Sequence, residues 1–253
     1  MVKRILLVLA APIVLLLLAL AINTLRHGSR QIEVAPAPTL ALDENAAAQR
    51  LAAAVRLRTI SFDGRDAASA GEFRKLHALL EKSFPRAHAV LKRETVNELS
   101  LLYTWPGSDA AAKPIMLMAH QDVVPIAPGT ERDWQADPFA GEIRDGFVWG
   151  RGAWDDKANL FAIFEAIETL AASGFRPRQT LYIASGHDEE LGGVQGARAI
   201  AALLQSRGVR LDFVVDEGLL ITEGILKGLD RPAALIGIAE KGYLTLALAA
   251  KAR

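Results

Sequence analysis

Hydrophobic and polar positions fall into three regimes along the chain. Ile5 to Ile22 is an uncharged apolar run, with Lys3 and Arg4 before it and Asn23, Arg26, His27 and Arg30 after it. As a helix that run is about 27 Å long at 1.5 Å per residue, close to the hydrocarbon thickness of a bilayer. Pro12 is no objection, because membrane helices tolerate proline. We expect an uncleaved anchor. The rival is a cleaved signal peptide, since Ala19-Leu20-Ala21 fits a small-x-small cleavage pattern. That pattern lies inside the apolar run, without the polar stretch a cleavage site follows. A buried core helix is disfavoured because the run has no polar face. Gln31 to Leu40, with Ala35-Pro36-Ala37-Pro38, reads as a stiff extended spacer.

From residue 41 the periods shorten and alternate. Asp43 can cap a helix through about Arg56, with Ala48, Leu51, Ala52 and Val55 along one face. Gly71 to Lys82 reads as a second helix, with Phe73, Leu76, Leu79 and Leu80 apolar and Pro85 beyond its end. His88 to Val96 and Leu101 to Trp105 read as strands, followed by a turn at Pro106-Gly107. Pro114 to Ala119 is a continuous apolar run, as expected of a strand buried on both faces. Gly141 to Gly150 predicts a hairpin turning at Asp145-Gly146. Lys157 to Ser173 predicts an amphipathic helix stopped by Gly174. Thr180 to Ser185 and Leu211 to Val215 predict two more buried strands, with a helix from Val194 to Ser206 between them. Strands alternating with helices predict an α/β fold with a mostly parallel sheet sandwiched by helices.

Three of those strands deliver acids or a histidine at their carboxyl ends, where open α/β sheets place their sites. His120-Gln121-Asp122 follows the first, Asp188-Glu189-Glu190 the second and Asp216-Glu217 the third. A further pair, Asp155-Asp156, follows Gly150-Arg151-Gly152 and precedes a helix. Taken singly, each cluster has an ordinary explanation: a satisfied histidine, a charged loop, a helix cap. Their joint placement does not, and adjacent carboxylates suppress each other's ionisation unless a cation offsets them.

Composition narrows the chemistry. There is no cysteine, which excludes disulfides and thiolate metal sites, so a metal here must be held by His and carboxylate. Formal charge is zero and no long basic run appears, which argues against nucleic acid as a partner. His120 is the natural nitrogen ligand, and Asp122, two residues on, suits an acceptor for the other imidazole N–H. Asp155 can bridge two metals. Of Glu189 and Glu190, one can bind metal while its neighbour stays free as a general base. His77 and His88 read as surface or packing residues. A metal-dependent deacylase on another scaffold is a rival, although no His-Glu-x-x-His helix is present.

These residues resemble the aminoacylase/carboxypeptidase S group of di-zinc metallopeptidases. The likeness is carried by Ala119-His120-Gln121-Asp122-Val123-Val124-Pro125, Pro138-Phe139 with Gly141-Glu142-Ile143, and Gly150-Arg151-Gly152-Ala153-Trp154-Asp155-Asp156-Lys157. It continues through Gly186-His187-Asp188-Glu189-Glu190-Leu191-Gly192-Gly193 and Val215-Asp216-Glu217-Gly218. The wording is most similar to the carboxypeptidase S and N-acyl-amino-acid hydrolase branch. The resemblance implies that His120 and Asp216 hold one Zn2+, Asp155 bridges, and Glu190 holds the second, with Co2+ or Mn2+ as substitutes. It implies Glu189 as general base, Asp122 as the group orienting His120, and a cis peptide after Asp155. His187 is then a packing or loop residue, and Trp134 and Trp149 wall the pocket or pack the core.

The implied reaction is hydrolysis of an amide bond in a peptide or an N-acyl amino acid, with a non-catalytic metal- or peptide-binding fragment as the alternative. The expected domains are a membrane anchor over 1–30, a Pro/Ala linker over 31–42, an incomplete catalytic domain over 43–235, and the start of a lid or dimerisation domain over 236–253. Relatives carry one further zinc-binding histidine near their C-terminus, and no histidine follows His187 here. The expectation is therefore a C-terminally truncated enzyme, weak or inactive alone, whose homodimer contact belongs to the lid. Either N-terminal reading places the catalytic domain outside the cytoplasm.

Overall fold

The computed structural model describes residues 2–26, 28, 34–35, 41–61, 67–239, 242, 244 and 246–250, with side chains from residue 10 in the first helix and from residue 69 in the third. The chain forms two compact units, Met1–Ala41 and Leu42–Arg253. The first unit holds helix α1 (Val2–Arg26), which contains Pro12. Among the described residues no helix is long and apolar enough to cross a membrane. The side chains of Ile5 to Leu9, which open the expected anchor, lie outside the described set. So does the spacer apart from Val34 and Ala35, and so does part of the expected lid segment.

The second unit opens with α2 (Glu44–Val55). Asp43 caps it by accepting a hydrogen bond from the Ala46 N–H at 3.0 Å, which satisfies one of the orphan donors of the first turn. Helix α3 (Ala67–Ser83) starts earlier than the expected Gly71. Helix α4 (Pro85–Val90) corrects the expectation of a strand from His88. Pro85 sits in its first turn, where a missing N–H costs nothing, and Glu168 accepts from the N–H groups of Arg86 and Ala87 at 3.2 and 2.8 Å. The strand proper, β1 (Lys92–Val96), starts only after that turn and runs into β2 (Ser100–Trp105) through a tight link at Asn97 and Glu98, both at positive φ.

Then come β3 (Ile115–Met118), the hairpin β4 (Glu142–Arg144) and β5 (Phe147–Trp149), α5 (Lys157–Ala172) and β6 (Leu181–Ser185). The hairpin turns where expected, with Asp145 at φ +55° and Gly146 at φ +80°, as a two-residue turn of this twist requires. Helix α6 (Ala197–Ser206) starts later than Val194. The preceding loop is tied to Asp188, whose carboxylate accepts from the Gln195 N–H at 2.7 Å and whose carbonyl accepts from Leu191 and Gly193. Two-residue strands β7 (Val214–Val215), β8 (Ile221–Thr222) and β9 (Ala233–Ala234) follow.

The main sheet has five strands in the order β1-β2-β6-β3-β7. β2 runs antiparallel to β1 and β6, while β3 runs parallel to β6 and β7. The sheet is therefore mixed, not mostly parallel. The tight β1–β2 link forces an antiparallel pair, and β2 keeps that direction against β6. Helices cover both faces. Leu101, Tyr103 and Ile183 pack with Leu76, Leu80, Phe84, Leu160 and Phe164 on one side. Leu102, Met116 and Ala184 pack with Ile200 and Leu204 on the other, the alternation that a pleated strand imposes. The third strand expected to be buried is instead short and half-exposed, because among the described residues β7 pairs with β3 alone.

Candidate metal centre

Beyond β3 the backbone stays locked: the Ala119 N–H donates to Ala184 and the Gln121 N–H to Gly186, at 3.1 and 2.8 Å. His120 is therefore delivered by a fixed segment, and its ring is buried. Nδ1 lies 3.0 Å from the Asp122 carbonyl and 3.2 Å from Asp122 Oδ1. An N–H on Nδ1 directed there leaves the Nε2 lone pair available to a metal. Nε2 lies 2.8 Å from Asp155 Oδ1, 3.6 Å from Glu217 Oε1 and 3.8 Å from Glu189 Oε2.

Asp122 does a second job. Its two carboxylate oxygens accept from the backbone N–H groups of Glu189 and Glu190, each at 3.1 Å. One buried carboxylate thus fixes both the imidazole and the loop that carries the two glutamates. Behind it, Gln121 is fully buried. Its amide donates to the carbonyls of Leu99 and Ser185, and its Oε1 lies 2.7 Å from His77 Nε2. His77 is thereby occupied within the fold, and burial lowers its pKa despite that hydrogen bond.

On the facing loop, the peptide between Asp155 and Asp156 is cis, as the resemblance implies. Asp156 turns inward, accepting from the His120 N–H at 2.9 Å and from the Asn159 amide at 2.5 Å. Asp155 turns the other way, toward His120 Nε2. Among the described residues two groups place ligand atoms within 4.8 Å of one another: His120 with Asp155 and Glu190, and His120 with Asp156 and Glu217.

The electrostatics fit a cation. Burial raises the Asp156 carboxyl to about 6, against the pull of His120. Burial and the charges of Asp156 and Asp155 raise Glu217 to about 7. Glu189 and Glu190 are likewise pushed up, first by burial and then by neighbouring carboxylates. Burial would lower His120, but the hydrogen bond and charge of Asp122, with Asp156 and Glu217, carry it to about 10. Negative charge is in excess, and a divalent ion held by one nitrogen and several carboxylate oxygens would offset it.

Five of the six site residues expected from sequence, His120, Asp122, Asp155, Glu189 and Glu190, are brought together. The sixth, Asp216, lines the same cavity of about 350 Å3 as His120, Glu189 and Arg198, but its oxygens are not in either close group. Its neighbour Glu217 is. Glu217 and Asp156 were both visible as second members of acidic pairs, and nothing in the sequence says which member turns inward. His187 sits outside the centre, with Nδ1 2.6 Å from Ser100 Oγ and its ring edge-on to Phe73. Trp149 stacks under Arg144 and donates to its carbonyl, and Trp134 lies under Arg151.

Residues 116–237 match the model of peptidase family M20/M25/M40. A probable carboxypeptidase S-like protein 2 of Dictyostelium discoideum is 39% identical over 92% of this chain and 46% of its own length. The N-fatty-acyl-amino acid synthase/hydrolase PM20D1.1 of Danio rerio is 43% identical over 77% of this chain and 38% of its own. The chain thus spans less than half the length of these relatives. In fold it is similar to human carnosine dipeptidase 1, with a TM-score of 0.57 at 21% identity over 71% of this chain and 40% of that one.

Proposed function

We start from the M20/M25/M40 peptidase domain that this chain carries and propose that the protein is a zinc-dependent hydrolase of an amide bond in a peptide or N-acyl amino acid. The observation that carries this reading is His120 Nε2 aimed at Asp155, with Glu190 in the same close group and Glu189 beside them. His120 and Asp216 are assigned to one Zn2+, Asp155 to the bridge and Glu190 to the second ion, with Glu217 a further oxygen donor beside His120. Bound there, zinc supplies a Lewis acid that polarises a carbonyl and lowers the pKa of water. The protein's own residues do the rest. Glu189 is half-exposed at the cavity and its carboxyl is raised by burial, which suits a group that takes a proton from water and returns it to the leaving amine. Asp122 holds the imidazole and the glutamate loop at fixed spacing.

The test separates the two glutamates. In an enzyme of the relatives' full length, Glu189→Gln should keep zinc while turnover of dipeptides or N-acyl amino acids falls about 10²–10⁴-fold, the range for general acid–base catalysis. Glu190→Gln should weaken the second zinc, and its activity should recover in part when zinc is added. Exchanged outcomes would place the roles one residue out. Zinc bound with no turnover in a protein of the relatives' full length would favour a non-catalytic metal- or peptide-binding domain.

We further propose that residues 5–22 anchor the chain in a membrane, with the following unit on the extracytoplasmic side. Support comes from the uncharged run and from the single helix Val2–Arg26 that contains it. N-terminal sequencing of membrane-extracted protein decides the matter, and a mature start at Ile22 would sink the proposal.

A further inference from the structure

Lys157 follows the metal-site carboxylates directly, yet it takes no part in the chemistry above. Its side chain is fully buried. Nζ donates to the carbonyls of Ala54 and Leu57, at 2.9 and 2.6 Å. These carbonyls belong to the end of α2 and the segment just past it, and each also accepts a backbone N–H, from Leu57 and Thr59 respectively, so the amine takes up their second lone pairs. The side chain reaches them by passing over Gly152, where an added Cβ would lie 3.3 Å from Lys157 Cδ and 2.6 Å from Val123 Cγ1.

What lies on the far side of that contact gives it meaning. The Thr59 N–H donates to the same Leu57 carbonyl. Thr59 in turn donates its hydroxyl to the Gln121 carbonyl at 2.7 Å, and its own carbonyl accepts from the Val123 N–H at 3.0 Å. The Ser61 N–H donates back to Val123. The stretch 57–61 therefore runs beside residues 121–123, the backbone on which His120 and Asp122 stand. On its near side, the Lys157 N–H closes the Gly152–Lys157 loop by donating to the Gly152 carbonyl at 3.2 Å. Asp155 and Asp156 lie inside that loop.

We propose that Lys157 is a positioning residue for the metal centre: its buried amine joins the segment alongside His120 and Asp122 to the loop that presents Asp155 and Asp156, and so sets the spacing between the two halves of the ligand set. The inference rests on the zinc reading above. It acts through other residues, since Nζ touches only backbone oxygens in the contacts described, and a small shift of one ligand-bearing segment against another is enough to weaken a metal site.

The test exploits the absence of cysteine from the chain. Lys157→Met removes the donors at similar length. Lys157→Cys, alkylated while unfolded with bromoethylamine or with bromopropane and then refolded, gives two side chains of equal length that differ only in a terminal amine or methyl. Zn2+ affinity is measured by chelator competition, and ligand geometry by the absorption of bound Co2+. The expected result is a 10- to 100-fold weaker Zn2+ affinity and an altered Co2+ spectrum for Lys157→Met and the propyl form. The size is that of losing a group that orients metal ligands. The aminoethyl form should return to within about threefold of the unmodified protein. Equal Zn2+ affinity and Co2+ spectra in the amine and methyl forms would overturn the proposal. So would apolar forms that never fold beside an aminoethyl form that does, because the amine would then hold the fold and not the site. An unmodified protein that binds no Zn2+ would overturn the zinc reading itself, a separate outcome.

Discussion

The two sides of the centre are built on opposite plans. The inner wall consists of His120, Asp122 and Asp156, all buried; the two carboxylates and His120 Nδ1 are spent on the protein, which leaves His120 Nε2 facing the rim. The outer rim consists of Asp155 and Glu189, whose side chains are 56% and 49% exposed. Rim oxygens face the cavity, with Asp155 Oδ1 2.8 Å from His120 Nε2, whereas the wall decides where the imidazole and the glutamate loop stand. Buried charge is tolerated only when paired and hydrogen-bonded, so the wall has little freedom to relax. The contrast teaches that adjacent acids in one motif can have unlike surroundings: Asp156 is tied to His120 N–H and Asn159, whereas Asp155 faces the cavity.

The hardest way to break this contrast is to attack its one shared member. His120 is in both close ligand groups, so His120→Ala should reduce Zn2+ binding below detection in a chelator competition. Asp122→Asn keeps shape but weakens the hold on the imidazole. The expected loss there is about 10–100-fold in affinity, as for other outer partners of metal ligands, without loss of fold by circular dichroism. If Asp122→Asn bound zinc as tightly as the unmodified protein, the wall would be scaffolding without influence on the rim.

Much of this plan was legible in the chain. The periodic stretches of α2, α5 and the apolar runs of β3 and β6 predicted their elements closely, because burial on one or both faces dictates composition there. The loop clusters were legible because chemistry needs particular residue types at strand ends. What escaped has physical causes. α4 was hidden because its six residues Pro85–Val90 are too few to display a helical period. Strand direction was hidden because β2 reads the same whichever way its neighbour runs. Whether Asp216 or Glu217 turns inward depends on a backbone path through an exposed strand, which pattern alone does not set.

A change of pH sharpens the comparison, with its sign set by the raised Asp156, Glu217 and His120. Together they outweigh Lys157, which burial lowers to about 7 and which acts in the opposite sense above that pH. The carboxyls of Asp156 and Glu217 sit at about 6 and 7 in the folded, metal-free protein, above their ordinary 3.8 and 4.5. The folded state therefore holds more protons than the unfolded one across that window, and stability falls as pH rises through it. His120, raised from 6.5 to about 10, acts in the same sense, since its contribution is complete below 6.5 and lost toward 10. Asp122 is lowered, so its contribution is already present throughout and fades only in acid. Calorimetry of the metal-free protein should show the melting temperature falling by a few degrees between pH 5 and pH 8, at about 2–4 °C per kcal/mol for a domain of this size. Added Zn2+ should remove the trend, because a bound cation replaces the protons the site is short of. A melting temperature that rises with pH in the metal-free form would contradict the charge balance assigned here.

The smallest effect comes from a site remote from both sides, and it tests whether stability and metal geometry are separable. Asp43 caps the first turn of α2, while the carbonyls that Lys157 grips lie at and beyond the other end of that helix. Asp43→Ala should cost about 1 kcal/mol, the usual loss for an N-cap, seen as a small shift in the urea midpoint. Fraying of a helix end is confined to the first turn, and Val55 and Ala54 at the far end are held by the core. Zn2+ affinity should therefore be unchanged within error. A matching drop in affinity would mean that α2 moves as one body against the loop of Asp155 and Asp156. The rigidity attributed to the wall would then reside in the helix behind it.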